Sequence, residues 1–438
     1  AASSCSLIIK DEEVDKQTPI IEVVGKTFTK AEVNEQVEAV MDYEEYMYSM
    51  YGISYDRTDA STISMAQDSA IDAMVQQAVL EKKAADLGLD VLSDEEKAEV
   101  EESVDSTYTL YSDSVKSAYF ADTELEGEEL DAAVEAKMAE LAYPTREELV
   151  ESETNAKVLE KVRDEAVKDV TVSEEELQEA YNTHVESAMT TYGNSPSSYG
   201  TDVQNGATIY YVPAGYRYVK HILIEFTDED SQAISDLESQ ISQKQTELST
   251  AETSLADLGE DASADDETTA QNRATLSETV EARTAEIADL ESQLEDAKEA
   301  AYAAIQPTVD EVEEKLAAGE DFDALMEQYG QDPGMQTSPA KENGYPVSAD
   351  STNWVTEFRD AAMALENVGD VSEPVRSEYG IHIIKYVSDA VEGEVGLDAV
   401  RDALETEVLT QKQDEAYTAA VDAWVAEADA KIYKDRLN

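Results

Sequence analysis

The chain has 438 residues, of which 42% are apolar and 30% are charged, with 31 Lys and Arg against 100 Asp and Glu. This length allows two or three domains, each with a core. The formal net charge of -69 repels phosphate backbones and anionic lipid headgroups, so we expect no nucleic-acid partner. It favours solubility and suits basic or unfolded polypeptides as partners.

The first residues are small and polar and contain the single cysteine, Cys5. One cysteine excludes an internal disulfide and a Cys-based zinc site. No run of 18 apolar residues occurs, so no membrane-spanning helix is expected. Small residues before Cys5 and an acidic stretch after it are typical of the end of a bacterial lipoprotein signal. Cys5 is therefore a candidate lipid anchor on an N-terminal tether, residues 1–19; an incidental cysteine is the alternative.

The tether is followed by a region with helical patterning. A short apolar run ends in a turn, and Thr29 with Glu32 three residues later forms a capping box that predicts a helix start. Apolar residues then recur at helical spacing between residues 65 and 87. We expect residues 20–185 to form a helical lobe. Residues 186–215 are rich in Gly, Ser, Pro and Asn, which predicts a linker.

Residues 231–304 carry a different pattern, with apolar residues at heptad a and d positions on both sides of a short polar loop. This pattern predicts an antiparallel coiled-coil hairpin. Lys244 and Arg283 fall on d positions, where they would weaken the seam locally. The alternative is a pair of long helices packed against another part of the chain.

The remaining sequence alternates between helical and strand patterns. The predicted elements, in chain order, are a helix from Pro307 to Ala318, a Gly- and Pro-rich loop over 330–350, a helix over 356–365, a strand over 381–387, a helix over 397–430 and a short strand ending at 433.

The chain contains three histidines, His184, His221 and His382. The last two lie in strand-like apolar runs that open and close the region between residues 216 and 390. A lone histidine in a strand is usually structural. If these two strands are neighbours in one sheet, however, the imidazoles meet at its centre, which makes the pair a candidate site.

Several segments of this region resemble the parvulin family of peptidyl-prolyl isomerases, and they come in the family's order. They are Val219-Lys220-His221-Ile222-Leu223-Ile224, the run from Leu316 to Leu325, Tyr329-Gly330-Gln331-Asp332, the run from Glu357 to Leu365, and the run from Gly369 to Lys385. The resemblance implies a parvulin domain over residues 216–390, an FKBP-like antiparallel sheet with helices, in which the hairpin is an insertion. It also implies cis/trans isomerisation of X-Pro bonds, which needs no metal and no cofactor.

The family's functional positions can be carried over residue by residue. The resemblance implies that the catalytic residues are His221, Asp332, Ser377 and His382. It implies that the proline-binding residues are Trp354, Phe358 and Met363.

One loop departs from the family's pattern. Parvulins usually carry a Gly-Gly-x-Leu-Gly-like stretch after the acidic residue, whereas residues 342–349 retain only Gly344. Pro346 stands where leucine is expected, and Trp354 replaces a methionine. The sequence therefore leaves open a non-catalytic holdase or assembly chaperone with a degenerate parvulin domain.

The flanks resemble extracytoplasmic foldases of the PrsA and SurA kind. The resemblance implies an α+β chain in which the N-terminal segment and the C-terminal segment, residues 391–438, form one helical chaperone lobe around the inserted parvulin domain. It implies that residues 21–24 pair with residues 431–433. The expected partners are unfolded or nascent secreted polypeptides that contain proline. The expected location is outside the cell or on the outer face of a bacterial cytoplasmic membrane, and the hairpin arm would bind a protein partner or self-associate.

Overall fold

The structure is a computed structural model that describes residues 12–121, 123, 125–258 and 267–437. Cys5 and most of the predicted tether therefore lie outside the described residues. The chain divides into two compact units: Ala1–Ser173 with Thr406–Asn438, and Glu174–Glu405. Residues 174–185, which the sequence assigns to the helical lobe, group with the second unit. The combination of helices with small antiparallel sheets confirms the predicted α+β class.

The elements are numbered in chain order. The helices are α1 Glu12–Lys16, α2 Lys30–Met50, α3 Ala60–Leu87, α4 Asp94–Tyr119, α5 Gly127–Glu140, α6 Arg146–Val167, α7 Glu174–Asn194, α8 Ser198–Gln204, α9 Asp228–Asp257, α10 Glu267–Ala317, α11 Phe322–Tyr329, α12 Ala340–Asn343, α13 Thr356–Ala364 and α14 Leu397–Glu427. The strands are β1 Pro19–Val23, β2 Lys26–Thr29, β3 Tyr211–Val212, β4 Arg217–Glu225, β5 Tyr345–Val347, β6 Val375–Ser377, β7 Gly380–Asp389, β8 Gly393–Glu394 and β9 Lys431–Ile432.

The first unit is built on a three-stranded sheet in the order β2-β1-β9. Ile21 lies opposite Ile432 in antiparallel register, which confirms the predicted pairing of the two chain ends. Ile20 and Ile21 are completely buried, so burial of apolar side chains holds this central strand in place.

Helices α2 to α6 and the C-terminal half of α14 supply the rest of the first unit. The Thr29 side chain accepts a hydrogen bond from the Glu32 amide while Glu32 reaches back to the Thr29 amide, so α2 begins with the predicted capping box. Buried residues recur at helical spacing, as in the series Val33, Val37 and Met41 of α2. In the described part of the chain, no helix is long and apolar enough to cross a membrane.

The second unit corrects the predicted linker over residues 186–215. Helix α7 continues to Asn194, α8 follows, and β3 pairs with β8. Tyr192, Tyr199 and Tyr216 pack edge to face and are buried. Composition alone suggested a flexible segment, but three aromatic side chains bury enough apolar surface to order it.

The main sheet of the second unit has four antiparallel strands in the order β5-β4-β7-β6. Strands β4 and β7 pair along their whole length, with Leu223 opposite His382 and His221 opposite Ile384. On one face, Ile222 and Ile224 join a core to which α10 and α11 contribute. The other face carries the two histidines, against which Phe358 of α13 packs.

Helices α9 and α10 run antiparallel and pack against each other. Ion pairs between them connect Glu238 with Lys298, and Glu247 with Arg283. Lys244 also approaches Glu286 on the opposite helix. The basic residues on predicted d positions thus find acidic partners across the pair. A two-helix hairpin is present; its coiled-coil character stays a prediction.

Helix α10 runs through Pro307, whereas the sequence predicts a new helix after this proline. Proline removes one backbone hydrogen bond from a helix interior. Here Ala301, Ile305, Val309 and Val312 on both sides of it are buried in the core of the second unit. Packing therefore outweighs the lost backbone hydrogen bond. The second arm of the hairpin continues without a break into the helix that the sequence predicts after Pro307.

We predict that Gly344→Ala destabilises the second unit more than Gly369→Ala does. Both glycines have positive φ, +85° and +99°, where alanine costs ~1–3 kcal/mol. Only at Gly344 would a Cβ also lie 2.6 Å from the Val219 carbonyl oxygen; at Gly369 nothing lies within 4 Å. Urea unfolding of both variants measures the difference. Equal losses would contradict the steric role of Gly344 between β4 and α12.

Candidate active site

The two strand histidines meet on the open face of the sheet. His221 of β4 and His382 of β7 are diagonal neighbours across the pair of strands, a position from which side chains interact. Their Nδ1 atoms lie 3.0 Å apart and their rings are stacked, with centroids 5.2 Å apart. Both side chains are buried. The prediction that these imidazoles are near neighbours is confirmed.

The pair belongs to a longer chain of hydrogen bonds. His221 Nε2 lies 2.7 Å from Asp332 Oδ2, and His382 Nε2 lies 2.7 Å from Ser377 Oγ. The Tyr379 amide donates to Ser377 Oγ. An ionised Asp332 only accepts, so His221 Nε2–H donates to it. The two remaining bonds link His221 to His382 and His382 to Ser377, with directions that depend on the tautomers of the two imidazoles.

Backbone contacts hold Asp332 opposite His221. The loop after α11 is attached to β4 because the Gln331 amide donates to the Leu223 carbonyl and the Glu225 amide donates to Gln331 Oε1. The Gly334 amide donates to Asp332 Oδ1 at 2.9 Å. The carboxylate is therefore positioned from both sides before any ligand arrives.

The loop that departs from the family's pattern contributes a contact of its own. Tyr345 donates its hydroxyl hydrogen bond to Asp332 Oδ2 at 2.9 Å. A Cβ at position 334 would collide with that hydroxyl, so Gly334 makes room for Tyr345. Strand β5 places Tyr345 opposite Val219 of β4. A residue outside the family motif thus supports the carboxylate.

Aromatic side chains form the wall beside the histidines. The Phe358 ring meets both imidazoles edge to face, at 5.0 Å from His221 and 5.3 Å from His382. Trp354 packs against Phe358 and Tyr345 and donates its indole N–H to the Pro346 carbonyl. The rings of Phe358 and Trp354, together with Leu223 and Val355, line a cleft of about 300 Å³. The remaining lining residues are His221, Glu225, Asp332, Asn353, Tyr379 and His382.

Burial and charge set the protonation of the site. Burial, reinforced by the neighbouring His221, lowers the pKa of His382 from 6.5 to about 3. Burial acts to raise the pKa of Asp332, but hydrogen bonds from His221, Tyr345 and Gly334 outweigh it and lower the pKa below its ordinary value. At neutral pH the site therefore holds a neutral His382 and an ionised Asp332.

The structure brings most of the candidate residues together. His221, Asp332 and His382 line the cleft with Trp354 and Phe358. Ser377 lies beneath His382 and supports it.

Met363 packs against the core of the second unit and is not among the residues that line the cleft. It lies on α13 five residues after Phe358, a spacing that directs it away from the Phe358 side of a helix of 3.6 residues per turn. Its role in proline binding stays a prediction.

Sequence reasoning missed Tyr345 and Glu225. Strand alternation from His221 places Leu223 and Glu225 on the same face, so Glu225 could have been found. Tyr345 could not, because its contact depends on the register of β5. No group of three or more His, Cys, Asp or Glu within the described residues is arranged to hold a metal ion.

Residues 288–388 match the family described as rotamase, PPIC-type PPIase domain. This part of the chain is similar to PPIC-type domains. Among curated proteins, foldase protein PrsA 4 of Bacillus cereus is 49% identical over 81 residues, which cover 18% of this chain and 27% of that protein. Foldase protein PrsA of Geobacillus kaustophilus is 37% identical over 132 residues, or 30% and 44% of the two chains. The chain is PrsA-like in this part, and it spans less than half the length of these relatives.

The crystal structure of PrsA from Bacillus subtilis aligns over 94% of both chains with 18% identity and a TM-score of 0.21.

We predict that His382 stays neutral down to about pH 3. In the unfolded chain its pKa returns to about 6.5, so between pH 6.5 and 3 only the unfolded state binds this proton. The free energy of unfolding therefore falls as the pH falls through this window, by up to about 1.4 kcal/mol per pH unit. NMR titration of the imidazole measures the folded midpoint, with urea-unfolded protein as the control. A folded midpoint between pH 6 and 7 would contradict burial of the neutral form.

Proposed function

We propose that residues 216–390 catalyse cis/trans isomerisation of X-Pro peptide bonds. The observation that carries this proposal is the continuous hydrogen-bond chain that joins Ser377, His382, His221 and Asp332 beside a cleft with an aromatic wall. The match of residues 288–388 to the PPIC-type family supports it.

The chemistry requires no bond cleavage. The barrier of about 18–20 kcal/mol comes from the partial double bond of the amide, which polarises the carbonyl in the planar form. Leu223, Val355 and Phe358 line an apolar part of the cleft, which suits the proline ring and excludes water from the carbonyl. Losing water there destabilises the polar planar amide more than the twisted one, so the barrier falls.

The hydrogen-bond chain gives the cleft a fixed shape and charge. Because His221 and His382 are each bonded through both ring nitrogens, their rings cannot rotate without breaking a buried hydrogen bond. Their edges and the Phe358 ring therefore present a preorganised surface to the twisting bond. Such preorganisation acts on the transition state without a reorganisation cost at the moment of rotation.

We predict that His382→Ala lowers isomerase activity by about tenfold to a hundredfold. The change removes the hydrogen bonds of His382 to His221 Nδ1 and to Ser377 Oγ, and an unsatisfied buried polar group costs ~1–3 kcal/mol. Exchange NMR on a proline tetrapeptide measures the rate without a coupling protease.

His184→Ala is the matched control, because His184 stacks on Tyr210 away from the cleft residues. We expect this control to keep wild-type activity. A wild-type protein that does not accelerate isomerisation, or a His382→Ala variant as active as wild type, would refute the isomerase proposal.

A second function, binding of unfolded polypeptides, is favoured by a patch on the first unit. Large apolar side chains are exposed along the C-terminal half of α2 and the segment after it: Tyr43, Tyr46, Met50, Tyr51 and Ile53, each more than half exposed. Exposed apolar patches of this kind are typical of interaction sites. Tyr and Met adapt to varied apolar surfaces, which suits clients without a fixed shape.

We predict that replacing Tyr43, Tyr46 and Tyr51 together by Ser weakens binding of an unfolded client by about tenfold or more, since each buried apolar side chain contributes ~1.5–3 kcal/mol. Suppression of client aggregation measures this loss. The control is the triple Ser variant of Val91, Leu110 and Tyr119, which are also exposed on this unit. Equal loss in both variants would contradict a specific client-binding patch.

The cellular setting follows from the same proposal. We propose that the protein works outside the cytoplasm on unfolded or nascent secreted chains that contain proline, as a PrsA-like foldase. A lipid anchor on Cys5, and a partner or a second copy bound by the α9–α10 hairpin, stay predictions.

A further inference from the structure

One wall of the cleft is formed by alternate residues of a single strand. His221, Leu223 and Glu225 lie on the same face of β4, because side chains alternate along a strand, and all three line the cleft. Glu225 is the last residue of the strand. Its position therefore lies two residues beyond Leu223, towards the end of the cleft where Tyr379 lies.

The carboxylate of Glu225 is available to a ligand. Its backbone amide is bonded to Gln331, but its side chain has no ion-pair or hydrogen-bond partner among the described residues. Its cross-strand neighbour is Gly380, which has no side chain to cover it. A Cβ at Gly380 would collide with the Ile224 carbonyl, so the strand pairing itself keeps this space open.

Neither lysine nor arginine lines the cleft. Cations on β4, β6 and α13 contact other partners. These contacts are Lys220 with Asp323, Arg217 with the carbonyls of Ala362 and Leu365, Arg359 with Asp360, and Arg376 with Glu299. The cleft therefore contains carboxylates without a compensating fixed cation.

The charge of these carboxylates affects which ligands the cleft favours. Burial, together with the charges of Asp332 and Asp228, raises the pKa of Glu225, as expected where negative potential is not neutralised. A cation placed beside Glu225 would stabilise its ionised form against burial and against the neighbouring negative charges, whereas an acidic group would destabilise it further. Such complementarity selects among ligands of similar shape.

We propose that the cleft selects proline segments in which Lys or Arg flanks the proline, with Glu225 as the partner of that cation. This preference rests on the proposed isomerase function and names its substrate class. The net charge of -69 favours the same clients at longer range, by attracting basic unfolded chains.

The test compares two tetrapeptides that differ only in the residue flanking proline, lysine or its uncharged isostere norleucine, placed in turn before and after the proline. Exchange NMR gives the catalysed rate, and chemical-shift titration of the same samples gives the Kd. For wild type we expect the lysine peptide to be favoured by about two- to fivefold, the range of a partly exposed ion pair. The preference should decrease at high salt.

In Glu225→Gln we expect the lysine and norleucine peptides to give nearly equal catalysed rates and nearly equal Kd values, so that each ratio approaches one. Glu366→Gln removes the same charge at an exposed position outside the cleft and should keep the wild-type ratio. Equal rates and equal Kd values for both peptides with wild type, or an equal loss on both peptides in Glu225→Gln, would overturn the preference. A lysine preference in Kd without any acceleration would retain this preference and refute the isomerase proposal alone.

Discussion

The register between β4 and β7 is the constraint on which the candidate site depends. It places Leu223 opposite His382 and His221 opposite Ile384, so the two imidazoles become diagonal neighbours. A slip by one residue would move every side chain of a strand to the other face. The histidines would then enter the apolar core, and Ile222 and Ile224 would face the cleft. The core that these isoleucines share with α10 and α11 therefore stabilises the site as well as the fold.

Burial of polar groups in this site is tolerated because each one is paired. The chain through Ser377, His382, His221 and Asp332 satisfies the ring nitrogens and adds Tyr345 at the carboxylate end. A buried network that is fully satisfied makes a region rigid. Glu225 is the exception among the cleft residues, because its carboxylate has no partner within the described part of the chain. A substrate contact therefore adds most stabilisation at this exposed edge of the cleft. The fold, the preorganised hydrogen-bond chain and the proposed substrate selectivity thus depend on neighbouring residues of β4.

The structure explains two features of residues 342–349, the loop that departs from the family's pattern. Gly344 is kept because its backbone conformation and its contact with Val219 exclude a side chain. Tyr345, which follows it, reaches Asp332 and packs against Trp354, so the replacement of methionine by Trp354 and the presence of Tyr345 are linked by contact. Although this loop keeps only Gly344 of the motif, it contacts the Asp332 carboxylate through Tyr345.

Local sequence patterns by themselves determined the helices with capping boxes, the two histidine strands and the hairpin helices, and a resemblance to the parvulin family grouped Asp332 with His221 and His382. These features depend on side-chain periodicity or on a motif carried by neighbouring residues. The tertiary structure alone decided that α10 continues through Pro307, that the tyrosines after residue 186 order a predicted linker, that Met363 packs in the core, and that Tyr345 joins Asp332. Each of these outcomes depends on packing between segments distant in sequence, whose energy exceeds the local preference of a proline, a glycine-rich stretch or a loop.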